Sequence, residues 1–397
     1  MPSLVLRGSI FTGDTFIEAG CVLVDQSKGV IVEVGRKSEV SEPEGARILD
    51  VQGSTIVPGL IDAHIHFFGS KEYDLMEWVT TPETLVALRS VADMRRLLNA
   101  GFTAVRDLGS KAGTYLKQAV DEGLIDGPRI VSAAKSLSQT GGDDDLPILP
   151  LDMAERLSYS YYCDGPWECR RAVRKVIRDG GELVKVYASG SFAQGSQVRR
   201  QFTVEELKAI VEEAHSAGMK VAAHAYGEDA LANSIEAGVD SIEHGIGLTP
   251  ELAEQIGGKG IFYVPTLSAY LAMKPTTDQE RNRLTKEHLT KDMEIAKQFH
   301  LKVVAGSDYV GCDTEPHGEN YREIVNLAKY LGNKEALIAA TSRAADCLGL
   351  EKSGWIKAGY DADLVITRGN PLDNPENLSP SNILHVMRKG QLRTVNG

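Results

Sequence analysis

Hydrophobic and polar positions change their spacing twice along this chain. Up to residue 50, short β-rich runs at 4–6, 21–25 and 30–34 are separated by Gly, Asp and Ser, which predicts strands joined by turns. From Pro58 onward, short apolar runs alternate with longer stretches of helical periodicity, the pattern of βαβ units. Eight such runs occur, at 54–66, 103–107, 129–133, 183–189, 220–224, 241–244, 261–265 and 302–308, with helical segments such as 204–217 and 228–237 between them. A strand and a helix repeated eight times predict a closed parallel barrel. The alternative is an open doubly wound sheet, but no glycine-rich dinucleotide fingerprint follows an early strand.

Beyond residue 350 the strand pattern returns at 354–357, 362–368 and 383–389, punctuated by the turn Gly369-Asn370-Pro371. Both ends are therefore β-rich around a βα middle. The expected architecture is α/β: a (β/α)8 TIM barrel at 58–350, inserted in a small β-sandwich domain built from 1–57 and 351–397.

Against this frame the polar residues stand out. In Pro58-Gly59-Leu60-Ile61-Asp62-Ala63-His64-Ile65-His66 two histidines sit at i and i+2 on a strand, so both point to one face and can share a metal ion. His224 closes Lys220-Val221-Ala222-Ala223-His224, His244 closes Asp240-Ser241-Ile242-Glu243-His244, and Asp308 closes Val303-Val304-Ala305-Gly306-Ser307-Asp308. Each lies where an apolar barrel strand runs out, and such strand ends converge on the active site of a TIM barrel. Imidazole and carboxylate at converging positions make a divalent-metal centre, with zinc the default and manganese or cobalt also accepted by such ligands. Lys185 sits inside the apolar run Leu183-Val184-Lys185-Val186-Tyr187. A buried ammonium is costly, so this lysine must be paired, carried to the strand end or chemically altered.

Bulk composition narrows the partners. The 397 residues are 42% hydrophobic, ample for a large core, and carry a formal charge of −12. That balance argues against nucleic acid or an anionic membrane as partner and leaves a small-molecule or peptide substrate. The five cysteines include no C-x-x-C pair, which predicts free thiols in a reducing compartment. The start lacks a charged segment followed by an apolar run, and no apolar stretch reaches 18 residues, so a cytoplasmic protein is expected.

Taken in order, His64, His66, Lys185, His224, His244 and Asp308 resemble the ligand set of the amidohydrolase superfamily. The resemblance spans nearly the whole chain. It includes Ala339-Ala340-Thr341-Ser342-Arg343-Ala344-Ala345 and Gly359-Tyr360-Asp361-Ala362-Asp363-Leu364-Val365. Within the superfamily the chain is most similar to the metal-dependent carboxypeptidase and dipeptidase branch, with its prolidase-like, Xaa-Arg dipeptidase and ochratoxinase-like members and relatives of imidazolonepropionase. The local matches are Tyr162-Cys163-Asp164-Gly165-Pro166, Val184-Lys185-Val186, His224-Ala225-Tyr226-Gly227, Ser241-Ile242-Glu243-His244-Gly245 and His317-Gly318-Glu319-Asn320.

The resemblance implies a binuclear centre. One cation would sit on His64, His66 and Asp308, a second on His224 and His244, with Lys185 bridging both as N6-carboxylysine. It further implies a metal-bound hydroxide that cleaves the amide bond of a dipeptide or N-acyl amino acid, and a protein that assembles as a homo-oligomer. Asp308 would act as general base and then general acid. Tyr226, two residues after a ligand, should face the mouth of the site as a donor to a substrate carboxylate or oxyanion. His317, on the loop after the eighth strand, is a candidate substrate contact. His215 and His300 end helices, and with His288 and His385 are read as structural or solvated.

The chain departs from the branch in one loop. Relatives usually carry a histidine after paired glycines in the third strand-to-helix loop, whereas here the run is Thr140-Gly141-Gly142-Asp143-Asp144-Asp145. Asp143 takes that place, so the run is either a solvated acidic loop or a substrate-facing wall that favours a cationic group. Hydrolysis of another amide, a cyclic amide, a carbamate or a lactone is therefore an alternative. A non-catalytic scaffold on the same fold is the remote one, because such a scaffold should have lost ligands and all six are present.

Overall fold

Residues 3–192 and 198–396 are described by the structure, a computed structural model. Strands β1 (Ser3–Phe11), β2 (Phe16–Asp25), β3 (Val30–Arg36) and β4 (Arg47–Pro58) open the chain. Successive side chains on a strand face opposite sides of a sheet. Leu4, Leu6, Val22 and Val24 accordingly share one apolar cluster, while Val5, Cys21 and Leu23 share another with Val40. The run expected as one strand at 54–66 is divided at Gly59. Its first part completes β4, and its second part is barrel strand β5 (Leu60–Ile65). A side chain at Gly59 would meet Thr103 Oγ1 at 2.0 Å, so the crossover from one sheet to the other needs glycine.

The barrel continues with β6 (Phe102–Asp107), β7 (Arg129–Ser132), β8 (Ser136–Ser138), β9 (Ser160–Tyr162) and β10 (Leu183–Tyr187). It ends with β11 (Lys220–Tyr226), β12 (Ser241–Ile246), β13 (Phe262–Val264) and β14 (Lys302–Val303). All pairings among these strands are parallel, in the orders β5-β6-β7 and β14-β13-β12-β11-β10-β8-β9. The third barrel strand is broken: β7 pairs with β6, the chain kinks at Ala134 (φ 53°), and β8 then pairs with β10 and β9. The pattern at 129–133 gives no sign of β8 or β9. The eighth strand is shorter in the ladder than 302–308, because past Val303 the segment bonds mainly to the first strand. Ala63 N–H donates to Ala305 O (2.9 Å), Asp308 N–H to His64 O (2.7 Å) and His66 N–H to Tyr309 O (3.0 Å), closing the barrel.

Every residue of β5, β6, β10 and β12 is buried, as parallel strands flanked by helices must be. The helix Val204–Ser216 starts at a capping box between Thr203 and Glu206, and Glu228–Ala237 ends at the left-handed Gly238. No helix among the described residues is long and apolar enough to cross a membrane. The five cysteines are free and buried.

The C-terminal segment returns as β15 (Leu364–Arg368), β16 (Ile383–Arg388) and β17 (Gln391–Thr394). It joins the first sheet in the order β17-β16-β15-β4-β1-β2-β3. The strand expected at 354–357 is a loop instead. Gly354 has φ +76°, Ile356 N–H donates to Thr12 O, and Gly359 N–H donates to Ile31 O, so its backbone groups are satisfied singly rather than in a ladder.

Candidate metal centre

The C-terminal ends of β5, β11 and β12 and the segment after β14 meet at one end of the barrel. His64 Nε2 lies 3.2 Å from Asp308 Oδ1, His66 Nε2 3.3 Å from the same oxygen, and His244 Nδ1 4.0 Å from Asp308 Oδ2. The ligand atoms of His64, His66 and Asp308 all lie within 4.8 Å of one another. Ring centroids of His64 and His244 are 5.0 Å apart and those of His224 and His244 4.6 Å. His244 (φ 65°) and Asp308 (φ 60°) both adopt the left-handed conformation, which costs an ordinary residue roughly 1–2 kcal/mol. Strain of this kind at strand ends turns the two side chains into the site.

Partners on the far side of each ring decide which nitrogen faces inward. His64 Nδ1 donates to Glu243 Oε2 (2.8 Å) and His66 Nδ1 to the Gly109 carbonyl (2.9 Å), since carboxylate and carbonyl can only accept. Their Nε2 atoms are therefore the ones that face Asp308, and among the described residues His64 Nε2 is buried without a hydrogen-bond partner. His224 Nε2 donates to the Gly190 carbonyl (3.3 Å), and His244 Nδ1 lies 2.8 Å from the Thr266 hydroxyl. Burial, with Lys185 alongside, pushes His224 down to about 3, and burial carries His244 well below the ordinary histidine value. Burial works against ionisation of Asp308, but His64, His66 and His244 outweigh it and hold the carboxyl well below its usual range. Imidazoles around a carboxylate are the donor set of a divalent metal site, so the residues fit the group that the fold implies.

Two charged residues carry this arrangement without appearing among the sequence candidates. Arg106 of β6 donates to Glu243 Oε1 (2.7 Å), to the Ala63 carbonyl and to the Ser241 hydroxyl. Glu243, fully buried, would be raised by burial alone; Arg106 and His64 bring it down to about 2. The available signal was a charge inside each of two apolar runs, 103–107 and 241–244. Asp62 plays a similar part. It accepts from His64 N–H (3.0 Å), Ser307 N–H (3.0 Å), the Ser307 hydroxyl (2.6 Å) and Asn320 Nδ2 (2.7 Å), tying β5 to the segment that bears Asp308. We expect Glu243→Gln to lower metal retention on dialysis roughly 10- to 100-fold, the usual effect of losing a ligand's outer partner. Unchanged retention would remove Glu243 from this role.

Lys185 is 1% exposed, and among the described residues it forms no hydrogen bond or ion pair. Its ammonium sits 4.8 Å from the Tyr187 ring centroid, and burial pulls its pKa below the usual lysine value. It lines a cavity of about 300 Å³ together with His64, His66, His224, His244 and Asp308.

The cavity has two aromatic sides. Phe68 stacks on His66 (4.8 Å) and on Trp78 (4.6 Å), with Tyr159 behind. Tyr226 stacks on His224 (4.3 Å), beside Phe192. Tyr226 does line the cavity, its hydroxyl 2.5 Å from that of Tyr270. The acidic run is not solvated: Asp143 and Asp144 are 5% and 2% exposed and line the same cavity. Asp143 accepts from Ser191 N–H (2.7 Å), and Asp144 accepts from the Tyr159 and Ser160 hydroxyls. Burial, with Asp144 adjacent, pushes Asp143 up to about 7. Asp145 turns away and accepts from Gly141 N–H (2.6 Å).

His317 departs from expectation. It is buried beside Phe67, its Nε2 donating to the His66 carbonyl (3.1 Å), and it does not line the cavity. The glycine beside it has φ +105°, so the loop folds inward rather than over the mouth. His215 pairs with Asp240, and the buried His288 donates to the Pro265 carbonyl; both are structural. His300 follows a helix with φ 50°, and His385 lies beside the Thr394 hydroxyl.

Residues 55–393 match the Amidohydrolase family. The chain is 31% identical to ochratoxinase of Aspergillus niger over 423 residues, covering 98% of this chain and 86% of that protein. The crystal structure of the A. niger ochratoxinase superposes with a TM-score of 0.91 over 99% of this chain and 96% of that one, at 28% identity. A prolidase solved with N-methylphosphonate-L-proline gives 0.89 at 33% identity, covering 99% of each chain. A Xaa-Pro dipeptidase with methionine bound in its active site gives 0.85 at 27% identity, covering 99% of this chain and 100% of that one.

Proposed function

Because the chain belongs to the amidohydrolase family and is a hydrolase of amide bonds, we propose that it uses two divalent cations to cleave a dipeptide or an N-acyl amino acid. The observation that carries this reading is the convergence on one cavity of four histidines, Asp308 and a buried lysine that has no ionic partner among the described residues. His64, His66 and Asp308 would hold one cation, and His224 and His244 the other. Lys185, as N6-carboxylysine, would join them, and zinc suits the nitrogen-rich donors. The barrel runs from 58 to 350 in this reading, with 1–57 and 351–397 as the sheet domain. Divalent cations bound there would supply Lewis acidity, polarising a carbonyl oxygen and lowering the pKa of water toward about 7.

The chain's own groups do the rest. Glu243 and the Gly109 carbonyl hold Nδ1 of His64 and His66, so both rings turn Nε2 toward the site. Asp308, ionised, accepts the proton of the attacking water and returns it to the departing nitrogen as the carbon–nitrogen bond breaks. Water is thereby divided between the new carboxylate and the new amine. Tyr226 stays protonated, because burial raises its phenol well above the ordinary value. It donates to the oxyanion or to the substrate carboxylate, and Tyr270 fixes its direction. The solved neighbours named prolidase and Xaa-Pro dipeptidase support a peptide substrate. The buried Asp143 supports a preference for a cationic group in the substrate.

A panel of dipeptides differing only in the last residue tests the proposal. Cleavage of at least one member is expected, and favour for basic last residues would assign Asp143 to specificity. Cleavage of none would sink the dipeptidase reading and move the search to cyclic amides, carbamates and lactones.

A further inference from the structure

The helix Gln279–Glu287 begins at Asp278, whose side chain caps Arg281 N–H at 3.0 Å. It carries two arginines near its start, used differently. Arg283 is locked to Glu280 and Glu287 at 2.6–2.9 Å on the outer surface. Arg281, partly buried, points into the metal cavity beside Tyr226 and Met273. Its guanidinium lies 5.8 Å from the Phe192 ring centroid, and among the described residues it has no ion pair and no side-chain hydrogen bond. Apart from Lys185, it is the lysine or arginine among the described residues that line the cavity.

We propose that Arg281 receives the α-carboxylate of the substrate. Planar guanidinium matches carboxylate in bidentate fashion and is lightly hydrated, so it is the cation suited to a half-enclosed anion site. A substrate anion entering this cavity faces the Asp308 carboxylate on a chain of net charge −12. A neutral phenol carries no counter-charge, so Tyr226 adds a hydrogen bond to what a cation at Arg281 supplies. With the carboxylate on Arg281, the last residue of the substrate lies on the Phe192 and Tyr226 side. The acyl portion then lies toward Phe68, Trp78 and Tyr159, and the scissile bond falls between them, over the metal ligands. This assignment rests on the amino-acid amide reading above.

The test pairs an N-acyl amino acid with its C-terminal carboxamide, in the wild type, Arg281→Gln and Arg281→Lys, all metal-loaded. For the acid, kcat/KM should fall on the order of 100-fold in Arg281→Gln, mainly through KM, with partial recovery in Arg281→Lys. The carboxamide, already poor in the wild type, should change less than about threefold, which also shows that the variant is folded and metallated. Equal losses on both substrates, or none, would overturn the proposal. Calorimetric binding of the same two compounds separates this idea from the one beneath it. If the wild type cleaves neither compound yet binds the acid, and loses that binding in Arg281→Gln, the assignment stands and the amidase reading falls. If binding is the same with and without Arg281, the assignment falls whatever the activity.

Discussion

Asp308→Asn should lose 10²- to 10⁴-fold or more in kcat while keeping its fold. General acid–base transfer by one positioned group accounts for a factor of that size, and loss of an anionic ligand adds to it. Asn is the informative choice for a structural reason. Asp308 has φ 60°, and Asn is among the few residues that adopt this conformation readily. The backbone closure from Asp308 N–H to His64 O at 2.7 Å does not involve the side chain. The amide therefore occupies the same position near His64 and His66 but offers no negative charge and no basic oxygen. Turnover, melting temperature and metal content measured together decide the matter. Activity near the wild-type level in a metallated, folded variant would remove Asp308 from proton transfer.

Lys185→Gln should lower turnover by two or more orders of magnitude and leave fewer than two cations per chain. The wild type should hold nearly two. The buried amine, drawn toward its neutral form, is the form that adds carbon dioxide, and the resulting carbamate would supply an anionic ligand for the proposed cations. Glutamine approximates the length of the lysine stem but forms no carbamate. Freed of a buried ammonium, the metal-free variant should be no less stable than the metal-free wild type. Elemental analysis and intact mass, which shows one added carbon dioxide on the wild type, make the comparison. One tightly bound cation with an unmodified lysine would establish a mononuclear site instead.

The two substitutions probe parts of the site that differ in how far sequence reaches. His64 and His66 are legible because strand alternation puts i and i+2 on one face, and Asp308, His224 and His244 because each terminates an apolar run. Those are properties of a few adjacent residues. Lys185 is legible only as an anomaly, a charge where none belongs, and the proposal that it bridges two cations rests on likeness to a family. The acidic run at 143–145 shows the opposite limit. Local composition describes a solvated loop equally well, and only the packing of Tyr159, Ser160 and Ser191 around it makes Asp143 and Asp144 a buried wall.

Period and residue chemistry are local quantities, and they sufficed for the alternation of strands and helices, for the sheet shared by the two termini and for picking out the strand-end residues proposed as ligands. What those residues rest on and what faces them come from long-range packing. Glu243 meets His64 across 179 residues of chain, Asn320 meets Asp62 across 258, His317 turns inward to the His66 carbonyl across 251, and Arg281 reaches the cavity from a helix after β13. Such contacts exist only once the barrel has closed. Closure brings distant strand ends within a few ångströms, and it excludes the water that would otherwise have satisfied these groups one by one.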